Sequence, residues 1–282
     1  IETGTAAAAA GGFTAVCCMP NTHPANDSAS VTRYILQRAQ AVGSCRVLPI
    51  GAITMNREGK ALAPMLELRE EGCIAFSDDG VGVANAQIMR RALEYSLMLD
   101  TVLAVHEEDP SLCEGGSMNE SAMSVKMGLR GIPEAAENVM IARDIELARL
   151  TRARVHFCHV STARGALLIK RAKEDGIPVT AEIMPHHFAA DESEVKGFNT
   201  QAKMMPPLRK REDSEALLEA LRAGVIDCIA SDHAPHESDS KAVEFEKASF
   251  GTMGLQTTLP ISLEQVREGK ISLKRAIEAL TV

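Results

Sequence analysis

Four side chains able to bind a metal stand where a short apolar run gives way to polar sequence. They are Asp79 in FSDDG, His106 opening HEEDP, His159 in VHFCHVST and Asp232 in SDHAPH. Neutral imidazole nitrogens and carboxylate oxygens suit a divalent ion such as zinc, and a strand end holds its side chain with the rigidity a metal site requires. Each residue also has a plainer reading. A single histidine at a strand end is usually a hydrogen-bonded structural residue, and an aspartate before a glycine, as Asp79 is before Gly80, is usually a turn former. Four such residues at four separate strand ends point instead to a metal site. His156 and His159 are three apart, and in a strand those positions face opposite ways. His159, nearer the C-terminal end, is the one expected to face the site. His186 and His187 in MPHHF are secondary candidates, and His23 reads as a loop residue.

The elements that must position these residues are short apolar runs alternating with helical patterns. Strands are expected over 14–19, 46–53, 73–76, 102–105, 154–158, 179–183 and 227–230. Helices are expected over 29–42, 62–70, 85–99, 134–150, 164–174 and 214–223. Pro133 suits a helix start, and Val139, Ala142, Ile145 and Ala148 share one face of the helix that follows. Continuous apolar strands between helices imply a parallel sheet covered on both sides. No glycine-rich phosphate loop follows a strand, which weakens a nucleotide-binding doubly wound sheet. Asn21, Ser77-Asp78-Asp79, His106, His159 and Asp232 all close strands. In a (β/α)8 TIM-type barrel such residues converge on one mouth, whereas an open sheet would string them along a line. Two long loops, 107–132 and 233–253, follow strand ends, where substrate loops belong. Without repeats or a linker, residues 1–282 read as one barrel domain.

Bulk properties bound the function. The 282 residues carry a net charge of −8, which argues against nucleic acid or an anionic membrane surface as a partner. With 3% aromatics and no Trp, the core must rest on Ala, Val, Ile, Leu and Met. The seven scattered cysteines include no C-x-x-C and read as reduced core thiols of a cytoplasmic protein. No apolar run reaches the roughly 18 residues of a membrane span. The chain starts at Ile1 in an alanine-rich helical pattern and stops in another, so it is expected to be a fragment at both ends.

The motifs MPNT (19–22), FSDDG (76–80), HVST (159–162), PHH (185–187), PPLR (206–209) and SDHAPH (231–236) resemble, in order, those of dihydroorotases. The likeness is to the bacterial class with an aspartate where many relatives use a carboxylated lysine. That family belongs to the amidohydrolase superfamily of metal-dependent (β/α)8 barrels. The resemblance implies reversible hydrolysis of L-dihydroorotate to N-carbamoyl-L-aspartate in pyrimidine synthesis, with two Zn2+ ions per site. On it, Asp79 bridges the ions, His106 and His159 complete the ligands of the second, and Asp232 binds the first and moves the proton. Asn21 and His236 hold the substrate carboxylate. A homo-oligomer or an aspartate carbamoyltransferase partner is also implied.

Departures are equally specific. The family's H-x-H-x-R stretch and first strand are not in the sequence and are expected just upstream of Ile1, so an isolated 282-residue chain is expected to be unstable. Met205 stands in KMMPPLR where Asn is usual, and its side chain cannot replace the amide's hydrogen bonds. Ser249 stands where Pro is common, and Glu107 replaces a frequent Cys with little expected effect. Two rival readings remain: a dihydropyrimidinase- or allantoinase-like hydrolase, against which Asp79 argues, and an inactive dihydroorotase-like scaffold of aspartate carbamoyltransferase. The scaffold has no reason to keep Asp79, His106, His159 and Asp232 together.

Overall fold

The computed structural model describes residues 1–281. Its strands are β1 (Ala15–Cys18), β2 (Arg46–Ala52), β3 (Ala75–Ser77), β4 (Leu103–Val105), β5 (Met118–Asn119), β6 (Gly131–Ile132), β7 (Val155–Phe157), β8 (Val179–Ile183) and β9 (Cys228–Ile229). Seven of them form one sheet in the order β1-β2-β3-β4-β7-β8-β9, and β5 pairs with β6. These seven coincide with the seven expected strands. The pairs β1–β2, β2–β3, β3–β4, β4–β7 and β8–β9 are parallel. Parallel neighbours need a crossover, and helices supply it. A doubly wound sheet reverses its strand order at a switch point. Here the order follows the sequence throughout, which is the topology of a (β/α)8 barrel.

The chain divides into two compact units. One contains Ile1–Glu107, Ala142–Cys158 and Ala172–Thr180; the other contains Glu108–Ile141, His159–Arg171 and the chain from Ala181 onward. In the first, Ile53, Met65, Leu68, Phe76, Met89, Leu93 and Leu103 are fully buried. Gly51 makes this packing possible, because a Cβ there would stand 2.9 Å from the Phe76 ring. The helix Ala86–Met98 starts at Asn85, whose side chain accepts from the amides of Gln87 and Ile88 at 2.9 and 3.2 Å. Such a cap satisfies donors with no partner inside the helix.

In the second unit, Met118, Leu129, Val195, Ala202, Met204, Leu208 and Phe245 form a separate apolar cluster. The segment expected to be a loop over 107–132 is therefore structured. It holds the helices Pro110–Cys113 and Ala122–Met127 besides β5 and β6, and Ser121 and Ser124 form a capping box at the second helix. The helix Thr258–Arg267 was also not expected. Pro260 disguises it, yet a proline in the first turn costs no helical hydrogen bond.

The helix Glu134–Thr151 shows a right period with a wrong phase. Val139 is 46% exposed, and the buried stripe is Ala136, Glu137, Met140, Ile141, Asp144, Ile145 and Ala148. Two acids occupy core positions, which hides the stripe from an apolar count. Of the cysteines only Cys73 and Cys158 are buried and Cys17 is exposed, so core thiols describe two of them. Among the described residues no helix is long and apolar enough to cross a membrane.

Candidate active site

β3 ends in two aspartates with opposite duties. Asp78 is buried; its carboxylate accepts from the amides of Ile53 and Thr54 at 2.9 and 3.0 Å and from the Thr54 hydroxyl. Burial nevertheless pushes its pKa up, with these hydrogen bonds pulling the other way. Asp79 faces other partners. Its Oδ2 accepts from Asn21 Nδ2 at 2.7 Å, and its backbone carbonyl accepts from Arg57 Nη1 at 2.5 Å. Gly80 then takes φ 81°, a turn that suits glycine.

His106 follows β4 and is buried. Its Nδ1 lies 4.0 Å from Asp79 Oδ1, too far for a hydrogen bond. Glu107, next in sequence, is buried as well, and burial is the chief cause that raises the pKa of Asp144. Arg143 grips Asp144 through two bonds of 2.7 and 2.9 Å and donates to Val83 O at 2.7 Å.

His159 lies just past β7, at φ 36°. A non-glycine residue in that region marks a constrained turn. The period-two reasoning that separated His156 from His159 therefore does not reach His159, which has already left the strand. Its amide donates to Glu182 Oε1 at 3.4 Å. Ser161 and Thr162 are pinned next to it: Glu137 accepts from both backbone amides and both hydroxyls. Arg209, fully buried, donates Nε to Ser161 Oγ at 3.1 Å and Nη1 to Asn119 Oδ1 and Ile132 O. Sequence reading quoted PPLR as a motif but gave Arg209 no role, and it passed over Glu137.

His186 and His187 stack edge to face at 4.5 Å. Burial, then the neighbouring His159, push His186 down to about 3; burial, then His186, hold His187 well below its usual range. His187 Nε2 donates to Pro206 O at 3.1 Å. Burial thus favours the neutral form of both rings.

β9 leads to Asp232 at φ 44°, again a constrained turn at a strand end. The stretch after it is held by backbone. His233 Nδ1 accepts from the amides of Gly254 and Leu255 at 3.1 and 3.3 Å, and Ala234 N donates to Thr252 O at 2.9 Å. His236, exposed, donates Nε2 to Phe250 O at 2.7 Å.

Of the sequence candidates, Asp79 and His106 come together in the first unit, and His159 stands in the second. Ligands of one ion at about 2 Å stand at most about 4.4 Å apart, so the 4.0 Å between His106 and Asp79 fits a shared ion. An imidazole and a carboxylate are also donors that suit zinc. Asn21 joins them through Asp79. Asp232 and His236 fall outside this group. His156 Nδ1 lies 2.8 Å from Thr180 Oγ1.

Comparisons with known proteins bear on the family and the fold. The dihydro-orotase-like family profile matches residues 1–165. The dihydroorotase of Syntrophobacter fumaroxidans is 52% identical over 277 residues, covering 98% of this chain and 63% of that protein. The dihydroorotase of Geobacter sulfurreducens is 50% identical over 280 residues, covering 99% and 66%. The chain thus spans just under two thirds of the relatives' length. Among solved structures, the L-hydantoinase (dihydropyrimidinase) of Arthrobacter aurescens superposes with a TM-score of 0.85 at 23% identity, over 99% of this chain and 64% of that one. The dihydropyrimidinase of Brevibacillus agri gives 0.80 at 23% identity, over 98% and 63%.

Proposed function

We propose that this chain, which belongs to the dihydro-orotase-like family, carries the metal-binding and proton-handling residues of a cytoplasmic dihydroorotase. The reaction would be reversible hydrolysis of the cyclic amide of L-dihydroorotate to N-carbamoyl-L-aspartate. The observation that carries the reading is the approach of His106 Nδ1 to within 4.0 Å of Asp79 Oδ1, two ligand candidates at neighbouring strand ends. The relatives near 50% identity support it.

In this reading Asp79, His106, His159 and Asp232 would hold divalent metal, zinc by donor type. When bound, such metal polarises the amide carbonyl and lowers the pKa of water, so that a nucleophile exists near neutral pH. The protein's own groups do the rest. Asn21 fixes one oxygen of Asp79, leaving the other toward His106. The carboxylate of Asp232 takes the proton of the attacking water and delivers it to the ring nitrogen as the C–N bond breaks. The second amide hydrogen of Asn21 is available to the substrate carboxylate. His236 already spends Nε2 on Phe250 O, so its Nδ1 can donate only when the ring is protonated. A protonated His236 facing a carboxylate is a charge-assisted pair. Residues 1–282 belong, on this reading, to one barrel domain.

The test is turnover of L-dihydroorotate by the intact protein, followed in both directions, together with its metal content. Bound metal with no turnover, or faster hydrolysis of hydantoin or dihydrouracil, would overturn the assignment.

A further inference from the structure

Two buried lysines stand outside the chemistry described so far. Lys203 is 2% and Lys241 5% exposed, and among the described residues neither has an ion-pair partner. Burying an ammonium without a counterion is costly unless its hydrogens are satisfied. Here backbone carbonyls satisfy them. Lys241 Nζ donates to Thr200 O, Lys203 O and Ser249 O at 3.0, 3.2 and 2.8 Å. Lys203 Nζ donates to Phe245 O and Glu246 O at 2.8 and 2.9 Å and sits 4.3 Å from the centre of the Phe250 ring. That is a cation–π distance.

Three of these bonds grip one strap, residues 245–251, at Phe245 O, Glu246 O and Ser249 O, while the other two tie Lys241 to the 200–203 stretch. Gly251 N adds a bond to Lys203 O at 3.0 Å, and Ser249 N donates to Ser240 O at 3.1 Å. The strap's purpose shows in what it touches next. Phe250 O accepts the ring N–H of His236 at 2.7 Å. Gly251, at φ +129°, passes so close that a Cβ would stand 2.5 Å from Ala234 O and 3.1 Å from His236 Nε2.

We propose that Lys203 and Lys241 are positioning residues for His236: they fix the strap whose Phe250 carbonyl orients the imidazole toward the substrate carboxylate. The proposal rests on the dihydroorotase reading of His236. Two charges are thereby used where neutral side chains would have packed more cheaply, because an ammonium can hold two or three carbonyls at once.

The experiment compares Lys203→Met, Lys241→Met and Gly251→Ala in the intact protein, each alone and combined with His236→Ala, after circular dichroism has shown that the variant folds. Each single variant is expected to raise KM for L-dihydroorotate about tenfold, the worth of one charge-assisted hydrogen bond. Turnover at saturation and metal content stay near those of the unsubstituted protein. In the His236→Ala background the same substitutions add nothing further to KM, as coupled residues require. An equal KM rise in both backgrounds, an unchanged KM in a folded variant, or loss of metal would overturn the proposal. If both lysine variants fail to fold, Gly251→Ala decides alone, since it displaces the strap with both lysines in place. A wild-type protein inactive on dihydroorotate would count against the proposed function only. The NMR shifts of the His236 ring nitrogens would still report the positioning, and no change in them in the folded variants would sink it.

Discussion

Asp79 and His159 stand just past the ends of short strands and are steered by other residues' side chains, Asn21 and Arg57 at Asp79 and Glu182 at the His159 amide. His236 is handled differently. It is exposed, and its partner is a carbonyl 14 residues on, in a strap that two lysines tie down by its backbone. On the proposed function, the metal-facing part would depend on side-chain identity, and the substrate-facing part on where a loop's main chain runs. Substitutions should break the first part chemically and the second through affinity.

The largest effect is expected at the first. Asp79→Asn should lower turnover about a thousandfold or more while the protein stays folded, because a metal ligand is lost; metal analysis and a dihydroorotate assay check it. Asp78→Ala should do the reverse. It leaves two amides and a hydroxyl buried without an acceptor, costing about 3 kcal/mol of stability by urea denaturation. Should Asp78→Ala instead spare stability and abolish turnover, the division of labour between the neighbours would be wrong. Asn21→Ala should weaken metal binding about 10- to 100-fold, as expected of a residue that orients a ligand, measured by competition with a chelator.

Acid should act through the histidine pair. The folded chain keeps His186 and His187 neutral, whereas the unfolded chain takes up protons near pH 6.5. Their stabilisation is complete above that pH and falls as pH drops toward 3, since the unfolded state then binds more protons. Thermal melts across that range should steepen accordingly, and His187→Gln should flatten the slope. Smallest of all, Val139→Ala should change stability by less than about 0.5 kcal/mol, because that side chain is half in water.

The sheet was legible because its strands are uninterrupted apolar runs and each ends in a polar residue. The sheet segments expected over 102–105 and 154–158 contain β4 and β7, and the ligand candidates stand just beyond them. The supports were not legible. Glu137 and Asp144 sit on a buried helix stripe, which violates the rule that charges face water. Lys203 and Arg209 are buried for the carbonyls and hydroxyls they hold, and those partners lie up to 90 residues away. Ser249 shows the same limit. Its place looked like a departure toward a side chain, yet what matters there is its carbonyl on Lys241 and an N–H that proline would lack.

Gly251 depends on two anchors. Its N–H hangs on Lys203, while its α-carbon rests against Ala234. Neither anchor can be met unless the 203 stretch and the turn at 232–234 are both in place. A segment that needs two anchors lets go when either fails, and hydrogen exchange at Gly251 should outpace exchange in β8 and β9.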